Sequence, residues 1–436
     1  MAARNVRTGQ RMVSTRRSLL AIVTLVVVAP LALAACGDDD SEAAGAAPVA
    51  SSAAPAAGAS AVPESGAVSS APGAVELSVT PGSGKKGVPV SAEIGFTVSG
   101  GKVTTVSLKD DKGKAVAGEL REDGSAWVPR SPLKNSQSYE ASVTATDAAG
   151  ASKTQTTRFT TMAKPAKKTG TGLYLFDEHT YGVAMPIVVE FSPGIKKKDR
   201  AAVQKRLFVK SEPAQPGTWS WTEAGTQVYY RPPTFWKSGT KLDVRIAVGG
   251  LPAGGGRYGD QDRSASAKIG RSFVMKVDNK SKKMTVVENG KTVRTLPVSL
   301  GSPKNPSSSG TMVVMEKKAA TVFDTLDEMP PGEGYVTDIE YAQRLTWSGQ
   351  YIHSAPWSVG SQGRRNVSHG CVNVSPSNAR WLFDKTLVGD PVTVRGTEDK
   401  LAYGNGWTPW DLSWKEFVKG SALPVPAELA AQAGQA

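Results

Sequence analysis

The chain is poor in cysteine and in histidine. Only Cys36 and Cys371 occur among 436 residues, so a disulfide framework is excluded. Histidine occurs three times, as His179, His353 and His369, and any imidazole chemistry must choose among these. Charge of one sign is also thin. The net charge is +13, but five arginines and no acid fall in the first 35 residues, and removing them leaves +8. Such an excess gives little support to a nucleic-acid partner and fits an anionic surface such as a cell envelope equally well. The hydrophobic content, 39%, excludes wholesale disorder, and the length suits about three domains.

Residues 1–17 are basic and polar, and residues 18–35, SLLAIVTLVVVAPLALAA, form an uncharged apolar run closed by small residues. This is the order of an export signal, although the run is also near the ~20 residues a membrane span needs. Leu33-Ala34-Ala35-Cys36 resembles a bacterial lipobox, which implies lipidation of Cys36, a signal peptide over 1–35 and a membrane-anchored protein facing the cell wall. Thr15-Arg16-Arg17-Ser18-Leu19-Leu20 also resembles a twin-arginine signal. Residues 36–74 are rich in Ala, Ser, Gly and Pro with no large apolar side chain beyond scattered Val. They read as a disordered tether, which as a flexible coil would span ~35 Å.

Two stretches of short alternating segments follow. Residues 75–162 contain VELSVTP, AEIGFTV, KVTTVSL and SYEASVTATD, separated by turns such as Asp110-Asp111-Lys112-Gly113. Residues 163–272 contain IVVEFSP, QVYYRPP and KLDVRIAV. Period-2 alternation at this spacing predicts two tandem immunoglobulin-like β-sandwiches. A spacer role suits both, with Trp219, Trp221 and Trp236 as core rather than a carbohydrate platform. His179, in DEHTYG, reads as a surface-loop residue.

From Phe273 the pattern changes to a mainly β domain expected over 273–396. SFVMKVDNKSKKMTVVENGKTVRTLPVSLG reads as three strands with a tight Asn289-Gly290 hairpin. SPSNARWLFDKTL is the one clear helical signal, capped by Ser375 or Ser377, with Ala379, Leu382 and Phe383 on one face. Glu316–Tyr341, with Phe323 and the Pro330-Pro331-Gly332 break, reads as a long irregular lid. Residues 397–436 hold Trp407, Trp410 and Trp414, too many for a free tail. Docking on the 273–396 domain or the second module is expected, with the last ~15 residues loose.

Cys371 sits in Ser368-His369-Gly370-Cys371, a polar and glycine-containing setting unlike that of an inert buried thiol. Imidazoles lie two and 18 residues before it. A catalytic thiolate needs such a base or imidazolium to bring its pKa down from ~8.5. Zinc held by His353, His369 and Cys371 is the alternative, but the paired spacings of zinc ligands are missing and no fourth ligand is near.

His353 followed by Ser368-His369-Gly370-Cys371-Val372-Asn373 resembles the catalytic motif of the L,D-transpeptidase (YkuD) family. The likeness runs from about Phe273 to Arg395 and, more loosely, through the upstream modules and the Trp-rich tail, as in the actinobacterial lipoprotein forms. Many relatives carry Arg where Asn373 stands. The resemblance implies a peptidoglycan enzyme without cofactor, whose partners are donor and acceptor stem peptides and whose inhibitors include carbapenems. Cys371 would be the nucleophile and His353 the base, its imidazole oriented by the Ser354 carbonyl. The Gly370 and Cys371 amides would be oxyanion donors, and His369 would shape and polarise the pocket. Tyr335, Trp357, Ser368 and Asn373 would meet substrate, although Trp357 could simply pack and Asn373 simply cap the following turn. D-alanine would leave, and a second stem's side-chain amine would resolve the thioester into a 3→3 cross-link. Two other outcomes share the motif: water as acceptor, giving an L,D-carboxypeptidase, and a wall-binding lipoprotein that has lost activity.

Overall fold

A computed structural model describes residues 75–326 and 334–432. The expected signal peptide, Cys36 and the tether lie outside the described residues, as does Pro330-Pro331-Gly332. Among the described residues, no helix is long and apolar enough to cross a membrane.

The first module is a sandwich of two four-stranded sheets spanning Glu76 to Thr161. Strand Ser138–Thr146 shows how the alternation works. Tyr139, Ala141, Val143 and Ala145 point into the core with Ile94, Leu108 and Phe159. On its other face Ser142 and Thr144 exchange hydroxyl bonds of 2.8 Å with Thr156 and Thr154 on the neighbouring strand. The second module, between Lys168 and Ile269, packs a five-stranded sheet on a four-stranded one. Trp219, Trp221 and Trp236 are buried in its core, which removes them as a surface platform. His179 is exposed, its Nδ1 2.8 Å from the Asp177 carbonyl. Between the modules, Arg121 and Arg206 share the Glu93 carboxylate; burial pushes its pKa up, but the two guanidinium groups outweigh this and lower it.

The third region opens with strands Phe273–Asp278, Lys283–Glu288 and Lys291–Pro297. Asn289 (φ +49°) and Gly290 (φ +82°) turn the last two, as a two-residue hairpin with positive φ at both positions requires. These strands join Ser308–Val313, Pro391–Arg395 and Asp399–Lys400 in a six-stranded sheet. A second sheet holds Glu316–Asp324, Val336–Arg344, Tyr351–Ser354 and Val372–Val374. Helix Pro376–Lys385 is capped by Ser375, whose Oγ accepts from the Asn378 amide. Ala379 and Leu382 are buried, while Phe383 is half-buried against Tyr341.

Two expectations are corrected. Glu316–Tyr341 is no irregular lid: Glu316–Asp324 and Val336–Arg344 pair antiparallel from Glu316↔Arg344 to Asp324↔Val336. Its Lys, Thr, Val and Phe alternate weakly, and the Pro-Pro-Gly run masks that period. The end of the chain is also ordered as far as Gln432. Trp414 donates its indole N–H to the Leu429 carbonyl, and Leu429 is buried. The organiser is Arg231. It donates to the carbonyls of Pro409 and Leu412 and lies 4.4–5.1 Å from the ring centroids of Trp410, Trp414 and Phe417. The tail also reaches the third region, where Asp411 accepts from the Thr311 amide at 2.8 Å.

Candidate active site

The site forms where two short parallel strands meet. Tyr351–Ser354 pairs with Val372–Val374 in the register Ile352↔Val372, His353↔Asn373 and Ser354↔Val374. Side chains alternate across a strand, so Ile352, Val372 and Val374 enter the core beneath helix Pro376–Lys385. The opposite face carries His353, Asn373 and, two residues back, Cys371. All three line a cavity of about 310 Å³. Tyr335, Thr337 and Ile339 close it from the hairpin. Larger clefts, about 800 and 690 Å³, lie near the module junctions and contain no cysteine or histidine.

Cys371 is 9% exposed. Burial pushes its thiol up to about 12, opposed only by the Tyr351 amide. Its Sγ donates to the Gly349 carbonyl at 3.7 Å. The sequence asks for a base or an imidazolium near the thiol; the surroundings hold the thiol protonated, which calls on the imidazole as a base.

His353 is 4% exposed, and its Nδ1 lies 2.8 Å from the Ser354 carbonyl. A carbonyl only accepts, so Nδ1 carries the proton and Nε2 keeps its lone pair. Burial lowers the imidazole pKa from its ordinary value, opposed by the Ser354 carbonyl and the Asn373 side chain. The resting pair is therefore a neutral thiol and a neutral imidazole whose Nε2 carries no proton, with the Asn373 side chain beside the ring.

The backbone around Cys371 is fixed by serines. The Ser368 hydroxyl donates to the Cys371 carbonyl at 2.7 Å and accepts from the Gly370 amide at 3.2 Å. The Gly370 amide is thus committed to Ser368 and is not free for an oxyanion. Among the described residues, the Cys371 amide has no such partner. Gly370 has φ +114°, and a Cβ there would meet only the Gln350 side chain, at 3.6 Å. Backbone conformation, not crowding, requires the glycine.

The remaining candidates divide by depth. Tyr335 lines the cavity, with its phenol pKa raised chiefly by burial, so it stays a donor. His369 is exposed at the mouth, with its ring 5.3 Å from Tyr335. Trp357 is 60% exposed, 6.0 Å from the His353 ring, and therefore does little packing. Asn373 lies within its strand rather than capping a turn. Its Nδ2 donates to Ser358 Oγ at 3.2 Å, and its side chain also bears on the His353 imidazole. Phe323, 5.5 Å from the His353 ring, falls in the segment that the sequence reads as a lid and has no role of its own there, since weak alternation does not say which residues face inward. Val367, Thr337 and Ile339 gave no sequence signal.

Comparison with known proteins gives two family matches: bacterial Ig domain over residues 85–252 and L,D-transpeptidase catalytic domain over residues 272–394. The chain is 34% identical over 343 residues to L,D-transpeptidase 2 of Mycobacterium tuberculosis, covering 78% of this chain and 83% of that protein. It is 34% identical over 365 residues to L,D-transpeptidase 5 of the same organism, covering 82% and 79%. Among solved structures, an L,D-transpeptidase in complex with imipenem matches 53% of this chain and 100% of its own, at 34% identity and a TM-score of 0.45.

Proposed function

Because this chain belongs to the L,D-transpeptidase family, we propose that it joins peptidoglycan stem peptides through a thioester on Cys371. What supports the reading most directly is the parallel pairing of Tyr351–Ser354 with Val372–Val374, which puts the His353 imidazole and the Cys371 thiol into one cavity. As Sγ attacks the carbonyl carbon that links the third-position L-centre to D-alanine, the thiol proton passes to His353 Nε2. The carbonyl oxygen becomes an oxyanion, received by the Cys371 amide with the Tyr335 phenol at hand. Collapse breaks the C–N bond, and the imidazolium returns its proton to the departing amine of D-alanine. A second stem's side-chain amine then attacks the thioester, His353 takes its proton, and the thiol is regenerated with a 3→3 link formed.

The neutral resting pair suits general-base attack, in which the proton moves as the S–C bond forms. The Ser354 carbonyl holds the tautomer, in the place a carboxylate takes in other triads. Trp357 and Asn373 flank the imidazole where a stem peptide would lie. Carbapenems would acylate the same sulfur. Lipid anchoring through Cys36, facing the wall, belongs to the same proposal.

The test is a fragment beginning near Val75, incubated with a disaccharide-tetrapeptide. D-alanine release with dimers linked 3→3 is expected. Tripeptide without dimer would make the enzyme a carboxypeptidase, and no turnover together with no meropenem adduct would leave a wall-binding protein.

A further inference from the structure

The Cys371 amide can receive an oxyanion only if its N–H faces the cavity, and that direction is set from behind. Cys371 N–H and the Gly370 carbonyl belong to one planar trans peptide unit, so the two bonds point in opposite directions. The Gly370 carbonyl is held by Ser307, whose hydroxyl donates to it at 2.7 Å, with a longer 3.5 Å approach to the Cys371 carbonyl. The same hydroxyl accepts from the Gly301 amide at 2.9 Å. Ser307 is 1% exposed and does not line the catalytic cavity.

We infer that Ser307 is a positioning residue for acyl transfer: by holding the Gly370 carbonyl toward the interior, it aims the Cys371 amide at the developing oxyanion. Gly370 makes such a restraint necessary. Its φ of +114° is open to glycine but not well defined by it, since a residue without Cβ has few steric limits on how its peptide planes turn. Ser368 fixes the peptide units on either side, through the Gly370 amide and the Cys371 carbonyl. Ser307 fixes the one between them. Its own orientation is set by the Gly301 amide, which occupies an Oγ lone pair and leaves the hydroxyl proton for Gly370. Gly301 is in turn anchored to the same loop: it bridges to Ser368, and the neighbouring Ser302 amide donates to the Ser368 carbonyl at 2.8 Å.

This rests on the thioester reading above, and two reactions of one sulfur separate them. Acylation by a carbapenem develops an oxyanion; alkylation by iodoacetamide, a displacement at saturated carbon, does not. Ser307→Ala is expected to slow meropenem acylation about 10–100-fold while the alkylation rate at pH 9 stays within about twofold. Ser307→Thr, which restores the hydroxyl, is expected to recover most of the acylation rate. Equal acylation in Ser307→Ala and wild type would overturn the inference, as would a parallel loss of both reactions that Ser307→Thr does not repair. Failure of wild-type protein to acylate would instead strike the thioester reading.

Discussion

The protonated state of Cys371 leads to a measurement with a definite size. A thiol with pKa near 8.5 is about 3% thiolate at pH 7. With the Cys371 thiol pushed up to about 12, the thiolate fraction at pH 7 is ~10⁻⁵, some 10³–10⁴-fold smaller. Part of this is returned, because a more basic thiolate is a better nucleophile. With a Brønsted slope of about 0.4–0.5, the gain over this range is ~10^1.5. Exchange of Cys371 with a small neutral disulfide such as 2-hydroxyethyl disulfide should therefore run about 100-fold slower at pH 7 than that of free cysteine. Its rate should climb tenfold per pH unit through pH 10 without levelling. Acylation by meropenem should behave differently, since His353 removes the proton within the complex. Its rate should hold across neutral pH and fall on the acid side only below the ordinary histidine range, because burial lowers the His353 pKa. Stopped-flow exchange and mass-spectrometric acylation over pH 5–10 measure both. A disulfide-exchange profile that levels off with a midpoint below pH 8 would show a resident thiolate and refute the neutral-pair mechanism.

Three further outcomes are expected. His353→Ala should lower meropenem acylation by about 10²–10⁴ and leave disulfide exchange at pH 7 nearly unchanged; markedly slower exchange would mean that the imidazole stabilises a thiolate. Arg231→Ala removes the donor to two tail carbonyls and the cation shared by three rings. It should cost about 3 kcal/mol in urea unfolding and open residues 406–432 to proteolysis, and a loss under about 1 kcal/mol would refute its organising role. Asp390 is fully buried, with Oδ2 accepting from the Leu387 amide and Oδ1 without a hydrogen-bond partner among the described residues. Burial pushes its carboxyl up to about 7 despite Lys317 and Arg271 nearby, with Glu288 adding to the rise. The unfolded chain ionises near the ordinary value while the folded chain does not. Stability is therefore full below about pH 4 and falls as pH rises to about 7, by up to ~4 kcal/mol from this one group. Asp390→Asn should flatten that part of the thermal-denaturation profile, and an unaltered slope would remove the assignment.

The sequence by itself determined the local things, because they depend on neighbours along the chain. Period-2 alternation marked the sandwich strands, Asn289-Gly290 marked its hairpin, and the serines at 375 and 377 marked the helix start to within two residues, Ser375 being the cap. The Ser368–Asn373 run singled out Cys371. Tertiary structure decided whatever depended on burial and on partners distant in sequence. The pairing of Glu316–Asp324 with Val336–Arg344 was hidden by a proline-containing run in the sequence between them and by weak alternation. The tail's order rests on Arg231, some 180 residues away. The chemistry of Cys371 followed the same rule. Nothing in Ser-His-Gly-Cys says whether the sulfur is charged, for that is set by how completely two strands and a hairpin exclude water. The restraint on its amide comes from Ser307, 64 residues upstream, one serine in a Ser-Ser-Ser run whose burial no sequence pattern announces.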